Sequence, residues 1–369
     1  MQYTEYELGE LLPFEQPTAY IVTSTDYSDA YATPVLTAGK SFILGKTNET
    51  DGIFDQLPVI IFDDFTTATQ FVNFRFKVKS SAMKILHINT DLVIPKYIFY
   101  RLQIIQFDHS THKRYWIQSY SKIKVLIPPL DEQSRIVAHI EELFSELDKA
   151  VDTLKTTKEQ LAVYRQAVLK DAFSNIAEYI PFGKITSSRL GKMLDKQKNV
   201  GVPCKYLRNI NVRWFSFDLS DLLDMKIEEK EFEKYTICKN DLVICEGGEP
   251  GRCAVWEKDE TIFYQKALHR VRFTIKAEPR FYMYYLWYIT QSGSINKFYT
   301  GTGIKHLTGQ SLEKIPVPVT DIGEQKRLLE LIEMRLSVCD NIEKAVDAAL
   351  AQADAMRQSI LKQAFEKKI

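Results

Sequence analysis

The chain repeats itself once. Residues 132–173 align without a gap on residues 324–365, at an offset of 192 positions. The match ends in a dense block, RQAVLKDAF at 165–173 against RQSILKQAF at 357–365. Stretches upstream of these segments also match, with small changes in length, as an old duplication would leave them. A chain of this kind folds as two related halves, each a variable segment followed by a repeated segment.

Both repeated segments are predicted to form long helices, since apolar residues recur at spacings of three and four and no glycine or proline interrupts them. The predicted apolar seam comprises Ile136, Ile140, Leu143, Leu147, Val151, Leu154, Leu161, Tyr164 and Val168, and then Leu328, Ile332, Leu336, Cys339, Ile342, Val346, Leu350, Ala353, Met356 and Ile360. Such spacing over more than four turns is typical of a coiled coil. We expect the two helices to pack antiparallel, with one variable domain at each end; pairing with a second copy of the chain is the alternative.

The variable segments combine strand and helix patterns. Residues 58–62, 71–78 and 242–245 are predicted strands because they are rich in β-branched and aromatic residues. Residues 95–103 and 279–289 are predicted helices that begin at a proline. The sequence therefore predicts an α+β fold, with two mixed α/β domains joined by two long antiparallel helices in a pseudo-twofold duplication. The predicted boundaries are 1–128, 129–178, 179–319 and 320–369.

Charge is unevenly distributed, although Lys+Arg and Asp+Glu both number 48. The net charge is −1 for residues 1–130, −4 for 131–178, +6 for 179–319 and −1 for 320–369. In the first variable domain, basic residues gather locally at 75–84 and, beside aromatic residues, at 109–116. Basic and aromatic side chains together suit contacts with phosphates and bases. A solvated surface is the alternative interpretation of each cluster taken alone.

Motifs for catalysis and metal binding are missing from the sequence. AGKS at 38–41 imitates the end of a phosphate-binding loop, but Pro34 stands where that loop requires glycine. Asp63 and Asp64 follow a predicted strand without the lysine partner of a nuclease, so a structural role is favoured over a metal site. The five cysteines and six histidines have no zinc-like spacing. With no signal sequence and no apolar run of membrane length, we expect a cytoplasmic protein that is not itself an enzyme.

Signature motifs stand in front of both repeated helices. IPPLDEQ at 127–133 and IPVPVTDIGEQ at 315–325 share a proline-rich turn followed by Glu-Gln, and RQxxLK recurs at 165 and 357. In the second variable domain, LG at 190, YLRNINV at 206–212, DLV at 241–243 and GIKHL at 303–307 extend the pattern. Over its whole length the chain resembles the specificity subunits of type I restriction-modification systems.

That resemblance implies a subunit without catalysis of its own, whose two target-recognition domains each read one half of an asymmetric, bipartite double-stranded DNA site. The helices would act as a ruler for the spacer between the halves. Two adenine methyltransferase subunits and two ATP-dependent restriction subunits are the implied partners, and they would bind S-adenosylmethionine, ATP and Mg. The alternatives are the specificity subunit of a fused restriction-methylation enzyme and a coiled-coil interaction scaffold.

Candidate DNA contacts are polar residues at the places that the family's motifs mark. Arg and Lys suit guanine edges and Asn or Gln suits adenine, but sequence does not separate base contacts from phosphate contacts. The candidates in the second domain are Arg208, Asn209, Asn211, Arg213, Gln265, Lys266, His269, Arg270, Lys305 and His306. The first domain departs from the family pattern at 34–40 and 114–116, and its candidates are Lys40, Thr66, Thr67, Lys79, Ser80, Lys84, Arg114 and Tyr115.

Overall fold

The structure is a computed structural model that describes residues 3–37, 41–108, 114–195 and 199–366. The chain divides into two compact units, Met1–Leu154 with Ala348–Ile369, and Lys155–Asp347. We call them the first unit and the second unit. The boundaries between recognition domains and helical regions that the sequence predicts stay a prediction.

Eight α-helices are present in the described residues, and two of them are 45 residues long. The helices are α1 Leu8–Leu11, α2 Pro95–Leu102, α3 Tyr115–Gln118, α4 Leu130–Ser174, α5 Phe232–Tyr235, α6 Pro279–Gln291, α7 Gly309–Glu313 and α8 Ile322–Glu366. Short 3-10 helices span Pro17–Tyr20, Tyr120–Lys122, Phe182–Lys184, Asn209–Asn211, Glu229–Glu231 and Ser294–Phe298. Proline begins α2 and α6 as predicted, because its fixed φ suits the first helical turn and it has no N–H to leave unpaired.

The strands form separate small sheets in each unit. In the first unit they are β1 Thr4–Glu7, β2 Phe14–Glu15, β3 Thr33–Leu36, β4 Ile43–Thr47, β5 Val59–Asp63, β6 Thr69–Val72, β7 Lys77–Val78, β8 Met83–His87 and β9 Lys124–Ile127. In the second unit they are β10 Tyr179–Pro181, β11 Thr186–Leu190, β12 Val202–Leu207, β13 Val212–Arg213, β14 Ser216–Phe217, β15 Leu223–Ile227, β16 Thr236–Ile237, β17 Leu242–Cys245, β18 Cys253–Val255, β19 Ile262–Tyr264, β20 Leu268–Phe273 and β21 Pro316–Pro318.

The two units share the topology of one four-stranded sheet and one two-stranded sheet, while their remaining sheets differ. The first unit contains a four-stranded antiparallel sheet in the order β2-β8-β5-β6, and the second contains the order β11-β20-β17-β18. Each unit also pairs the strand at its start with the strand that precedes a long helix, β1 with β9 and β10 with β21. The duplication that the repeats indicate therefore extends through the variable segments, where sequence similarity is weak.

One predicted strand is divided in the structure. Residues 71–78 were expected to be continuous, but β6 pairs with β5 while β7 pairs in parallel with β3 in a different sheet. Residues 73–76 connect the two sheets, and Phe76 is buried against Phe54 with ring centroids 4.9 Å apart. The alternation of apolar residues continues through this connection, which explains why the pattern alone suggested a single strand.

The long helices pack antiparallel within each unit. In the second unit Arg165 of α4 pairs with Asp340 of α8 at 2.7 Å, and Lys158 pairs with Asp347 at 2.7 Å, so residue numbers fall along α8 as they rise along α4. In the first unit Arg357 of α8 pairs with Asp148 of α4. The two helices therefore pair within one chain, as predicted, and the fold class predicted from the sequence is confirmed.

The buried seam is narrower than the apolar pattern predicted. Tyr164, Ile342 and Met356 were expected on the seam and are 48%, 40% and 48% exposed. At 3.6 residues per turn, Tyr164 lies about 60° around α4 from Leu161, whereas Val168 lies within about 20° of it. Leu161 and Val168 are buried. Apolar spacings of three and four mark a broad face, and only its centre is covered by the partner helix.

Each unit has a core that joins sheet, short helix and helix pair. In the first unit the core includes Ile60, Phe62, Ile98, Leu102, Ile136, Ile140 and Leu361, and in the second it includes Leu242, Ile244, Phe281, Leu286, Phe173, Leu328 and Ile332. Helices α2 and α6 thus occupy the same place in the two units. Within the described residues, no helix has both the length and the apolar character needed to cross a membrane.

Candidate nucleic-acid interface

In the second unit, three loops meet where β17 ends and β20 begins. The backbone N–H of Glu246 donates to the Ala267 carbonyl at 2.9 Å, and the Glu246 carbonyl accepts from the Leu307 N–H at 2.7 Å. Residues 246–252, 265–267 and 300–307 are thereby held together, and we call this region the loop edge of the second unit. It collects candidate residues that lie as far as 41 positions apart in sequence, from Gln265 to His306.

Glycine at position 247 allows two candidates to approach the same backbone. The Asn209 side chain donates from Nδ2 to the Gly247 carbonyl at 2.6 Å. A Cβ at Gly247 would stand 3.0 Å from Nδ1 of His306, so the imidazole ring lies directly against the glycine. Asn209 and His306, predicted separately, therefore both lie against Gly247 of the loop edge.

Lys305 and His306 are presented by a closed hairpin. Thr300 and His306 exchange two backbone hydrogen bonds, of 2.8 and 2.9 Å. The Lys305 ammonium lies 5.9 Å from the ring centroid of Tyr299, whose hydroxyl donates to the Pro250 carbonyl at 2.7 Å. Both Lys305 and His306 are exposed. The hairpin offers one cationic and one imidazole side chain to solvent at fixed positions.

The turn after β12 is braced by Arg208 and Asn211. Arg208 donates from Nη2 to the Asp221 carbonyl at 2.7 Å and to its carboxylate at 2.6 Å. Asn211 is buried and donates to the carbonyls of Asp218 and Asp221 at 2.9 and 3.1 Å. Arg213 is exposed, with its nearest carboxylate, on Asp218, 3.7 Å away. These contacts fix the turn that carries Asn209.

Gln265 and Lys266 reach the surface of the loop edge, whereas His269 and Arg270 do not. His269 is buried, and its Nε2 donates to the Leu307 carbonyl at 2.9 Å. Burial lowers the pKa of His269, which favours the neutral ring. Arg270 is also buried and donates from Nη1 to the Thr236 carbonyl at 2.8 Å. These two side chains support the loops from inside the domain.

The first unit has an equivalent loop edge where β5 ends. The N–H of Asp64 donates to the Ala82 carbonyl at 3.4 Å, and the Asp64 carbonyl accepts from the Tyr115 N–H at 3.0 Å. This is the hydrogen-bond pattern of Glu246, with Tyr115 in the place of Leu307. Arg114 therefore corresponds to His306. The loop edge of the first unit consists of residues 64–68, 79–82 and 114–115.

Five of the first unit's candidates are exposed or partly exposed at this edge or beside it. Thr66 and Thr67 lie in a turn that the Asp63 carboxylate closes, accepting from the N–H of Phe65 at 2.9 Å and of Thr66 at 3.3 Å. Lys79, Ser80 and Arg114 are exposed. The Lys79 ammonium lies 5.9 Å from the ring centroid of Tyr27. Lys40 lies outside the residues that the structure describes.

Lys84 and Tyr115 are buried beneath the loop edge. The Lys84 ammonium is completely buried and lies 3.2 Å from the Asp64 carboxylate. The same carboxylate accepts from the N–H of Trp116 at 2.8 Å, at the start of α3. A charge taken out of water needs such a partner. Asp64 therefore has the structural role that the sequence favoured for this pair of aspartates.

Arg252 also holds the loop edge together, and the sequence analysis did not predict this role. Its Nη2 donates to the Asn209 carbonyl at 3.0 Å, and its Nη1 lies 2.8 Å from the Glu249 carboxylate. Glu249 also accepts from Nε1 of Trp214 at 2.8 Å. The available signal was the glycine-rich segment 247–251, since a loop of that composition lets other backbone and side chains come close.

A second duplicated feature joins the short helices to the long ones. Lys96 of α2 pairs with Glu141 of α4, and Arg280 of α6 pairs with Glu333 of α8 at 2.7 Å. Position 96 matches 280 and position 141 matches 333 in the repeat alignment. Both halves of the chain thus keep the two partners of this ion pair, which joins α2 to α4 and α6 to α8.

Each unit also has a groove lined by residues of its short helix and of the two long helices. In the first unit it measures about 620 Å³ and is lined by residues that include Tyr100, Phe144, Asp148 and Arg357. In the second unit it measures about 290 Å³, and the corresponding lining residues are Tyr284, Leu336, Asp340 and Arg165. Each groove combines an aromatic side chain, an apolar residue and an Arg–Asp pair.

The chain is similar in sequence to specificity subunits of type I restriction enzymes. A sequence profile of the type I restriction modification DNA specificity domain matches residues 208–352. The specificity subunit of the Escherichia coli type I restriction enzyme EcoR124I/EcoR124II is 31% identical over 386 residues, which cover 95% of this chain and 90% of that protein. The EcoKI specificity subunit of Escherichia coli K12 is 25% identical, over 67% of this chain and 58% of its own length.

Solved structures share the fold. A chain from a study of complex assembly and conformational transition of the type I R-M system superposes with a TM-score of 0.72 at 15% identity, covering 98% of this chain and 97% of that one. The HsdS subunit from Thermoanaerobacter tengcongensis superposes with a TM-score of 0.56 at 15% identity, covering 100% and 97%.

Each unit combines the same four-stranded sheet topology with a short helix and parts of the two long helices, which is the fold of the solved structures above. The chain belongs to the specificity subunits of type I restriction-modification systems, as its identity to the EcoR124I/EcoR124II subunit over nearly its whole length establishes. Members of this family recognise DNA sequence within a complex of several subunits. The resemblance that the repeated motifs indicated is therefore confirmed.

Proposed function

We propose that each unit reads one half of an asymmetric, bipartite DNA site through its loop edge. The observation that carries the proposal is the matched hydrogen-bond pattern of Asp64 and Glu246, which builds the same platform twice. The side chains on the two platforms differ, with Arg114 in the place of His306. A shared scaffold with different reading groups is what two unlike half-sites require.

The exposed and partly exposed candidates form the proposed contact set. They are Thr66, Thr67, Lys79, Ser80 and Arg114 in the first unit, and Arg208, Asn209, Arg213, Gln265, Lys266, Lys305 and His306 in the second. Lys40, which lies outside the described residues, is proposed from the sequence alone. Lys84, Tyr115, Asn211, His269 and Arg270 are buried, and we assign them to holding the loops. Lys and Arg would contact phosphates or guanine, and the amides would suit adenine.

The recognition domains are proposed to be residues 1–128 and 179–319, followed by helical regions 129–178 and 320–369. Helices α4 and α8 are each 45 residues long, about 67 Å at 1.5 Å per residue. We propose that this length sets the unread spacer between the half-sites. The family resemblance supports this role.

The duplicated grooves are the proposed docking sites for two copies of one partner. Because the lining residues repeat, a methyltransferase subunit that fits the groove at Tyr100 and Phe144 would have a second, related site at Tyr284 and Leu336. Two restriction subunits would complete the complex in the cytoplasm. S-adenosylmethionine, ATP and Mg would be bound by these partners.

Methylation mapping tests the proposed function. The chain is co-expressed with its methyltransferase partner, and modified adenines are mapped genome-wide with and without the specificity subunit. We expect a two-part adenine motif that disappears when this chain is omitted. If separate partner subunits co-purify and no bipartite motif appears, the proposed reading of DNA is wrong.

An insertion tests the ruler. Adding one heptad to α4 and one to α8 at facing positions keeps the apolar seam in phase and lengthens each helix by about 10 Å. Since DNA rises about 3.4 Å per base pair along a strand, the spacer of the methylated motif should grow by about three base pairs. Both half-sites should stay the same. An unchanged spacer would contradict the ruler.

A further inference from the structure

Ile304 is the most exposed large hydrophobic residue that the structure describes, with 74% of its surface accessible. It stands at the loop edge of the second unit, beside the proposed contacts Lys305 and His306. Isolated exposed aliphatic residues are common on protein surfaces. Exposure alone therefore assigns no role to Ile304.

The hairpin holds the Ile304 backbone in place. Two hydrogen bonds between Thr300 and His306 close the turn at 2.8 and 2.9 Å. Gly301 has φ +96°, and a Cβ there would stand 2.4 Å from the Ile304 carbonyl oxygen, so only glycine allows this path. The close approach of Gly301 thus fixes the backbone at Ile304, whose side chain is exposed. An aliphatic side chain is presented to solvent from a closed turn, between a glycine and a lysine.

We propose that Ile304 contacts the 5-methyl group of a thymine in the half-site that the second unit reads. The proposal rests on the proposed function and adds a specificity-determining residue to it. Among the base edges in the major groove, thymine is the one that carries a methyl group, and apolar side chains pair with it. Lys305 and His306 would supply polar contacts on the same approach, while Ile304 would distinguish thymine from cytosine.

The test removes the methyl group alone. The complex of the full chain with its methyltransferase subunits is titrated with duplexes carrying the mapped motif, in which each thymine is replaced in turn by deoxyuridine. One replacement should weaken binding by the unaltered protein about three- to tenfold, as expected for one buried methyl contact. Ile304→Ala should bind unmodified DNA more weakly by a similar factor and be insensitive to that replacement. Ile304→Val, which keeps an aliphatic contact, should retain the sensitivity.

Ile275→Ala is the matched control. Ile275 is an exposed isoleucine of the same unit, 43% accessible, just after the end of β20 that lies away from the loop edge. Its replacement should leave binding unchanged. Unaltered affinity of Ile304→Ala, or equal uracil penalties with and without Ile304, overturns the proposal although a bipartite motif exists. A missing motif instead overturns the proposed function.

Discussion

The backbone N–H of Glu278 donates a 2.9 Å hydrogen bond to Oε1 of Gln325. Glu278 is the residue before Pro279, which begins α6. Gln133 accepts a 2.8 Å hydrogen bond from the N–H of Ile94, the residue before α2. Both glutamines are buried. The Gln of the duplicated Glu-Gln signature therefore fixes the start of the short helix against the long helix in each unit.

Replacing Gln325 by Ala should destabilise the protein. The change leaves the Glu278 N–H and the Thr320 carbonyl, which accepts from Nε2 at 2.9 Å, without their side-chain partner. Because unsatisfied buried groups carry a desolvation penalty, we expect a loss of about 1–3 kcal/mol in the free energy of unfolding, measured in urea. Gln160→Ala, at an exposed position of α4, should stay within about 0.5 kcal/mol. Equal losses in the two variants would contradict the role of Gln325 in fixing the start of α6.

Reversing the charge of Asp148 should disturb the helix pair in the first unit. Asp148→Arg places two cations together, since Arg357 is the partner, and should lower stability by about 0.5–1 kcal/mol because both groups are partly exposed. Adding Arg357→Asp should restore most of that loss. A double-mutant cycle at low and high salt measures the coupling. If the two effects merely add, the pair does not contribute.

Replacing Lys84 by Met should lower stability, whereas replacing Lys79 by Met should lower DNA affinity. Lys84→Met leaves the buried Asp64 carboxylate without its cation and should cost about 3–5 kcal/mol of stability. Lys79→Met changes an exposed side chain and should alter stability by less than about 0.5 kcal/mol. Its effect should fall on DNA affinity, through a lost phosphate or base contact. Thermal unfolding and DNA titration of both variants decide this, and a stable Lys84→Met protein would refute the assignment.

Removing the Lys305 ammonium should weaken specific DNA binding. Lys305→Ala should cost about 1 kcal/mol or more at the mapped site, without a change in unfolding temperature, because the side chain is exposed. Lys258→Ala is the control, since Lys258 is exposed in the turn between β18 and β19, at the other end of β17 from the loop edge. Equal losses for both variants would mean that Lys305 acts only through general charge.

His269 should make stability depend on pH in the mildly acidic range. Because burial lowers its pKa in the folded state, the unfolded chain binds the proton first as pH falls below the ordinary value of 6.5. The contribution of the neutral ring is therefore complete above that pH and declines below it. His269→Gln keeps a donor for the Leu307 carbonyl and should show a smaller drop in unfolding temperature between about pH 7.5 and about pH 5.5. The same drop in both proteins would exclude His269 as the cause.

The reciprocal ion pairs explain why some repeat positions are identical. Asp148 matches Asp340 and Arg165 matches Arg357 in the alignment, and each Arg pairs with the Asp of the other helix. Antiparallel packing of two copies of one helix requires this exchange. These contacts give the physical reason for the identities between the two repeats.

The exposure of the candidate side chains is harder to predict from the sequence than the positions of the helices and strands. The motifs point to loops, because glycines, prolines and polar runs mark places where the backbone leaves a sheet. Whether a polar side chain on such a loop faces solvent depends on residues far away in sequence. Lys84 and Lys79 lie five positions apart, yet one is buried against Asp64 and the other is exposed.

The duplication, the two long helices and the family are predictable from the sequence, because periodic apolar residues and repeated motifs are local signals. Tertiary packing establishes which candidates meet at the loop edges, which are buried, and that Arg114 stands where His306 does. The reason is that these relations depend on backbone hydrogen bonds at Asp64 and Glu246 to segments distant in sequence. No periodicity within a single segment encodes such pairing.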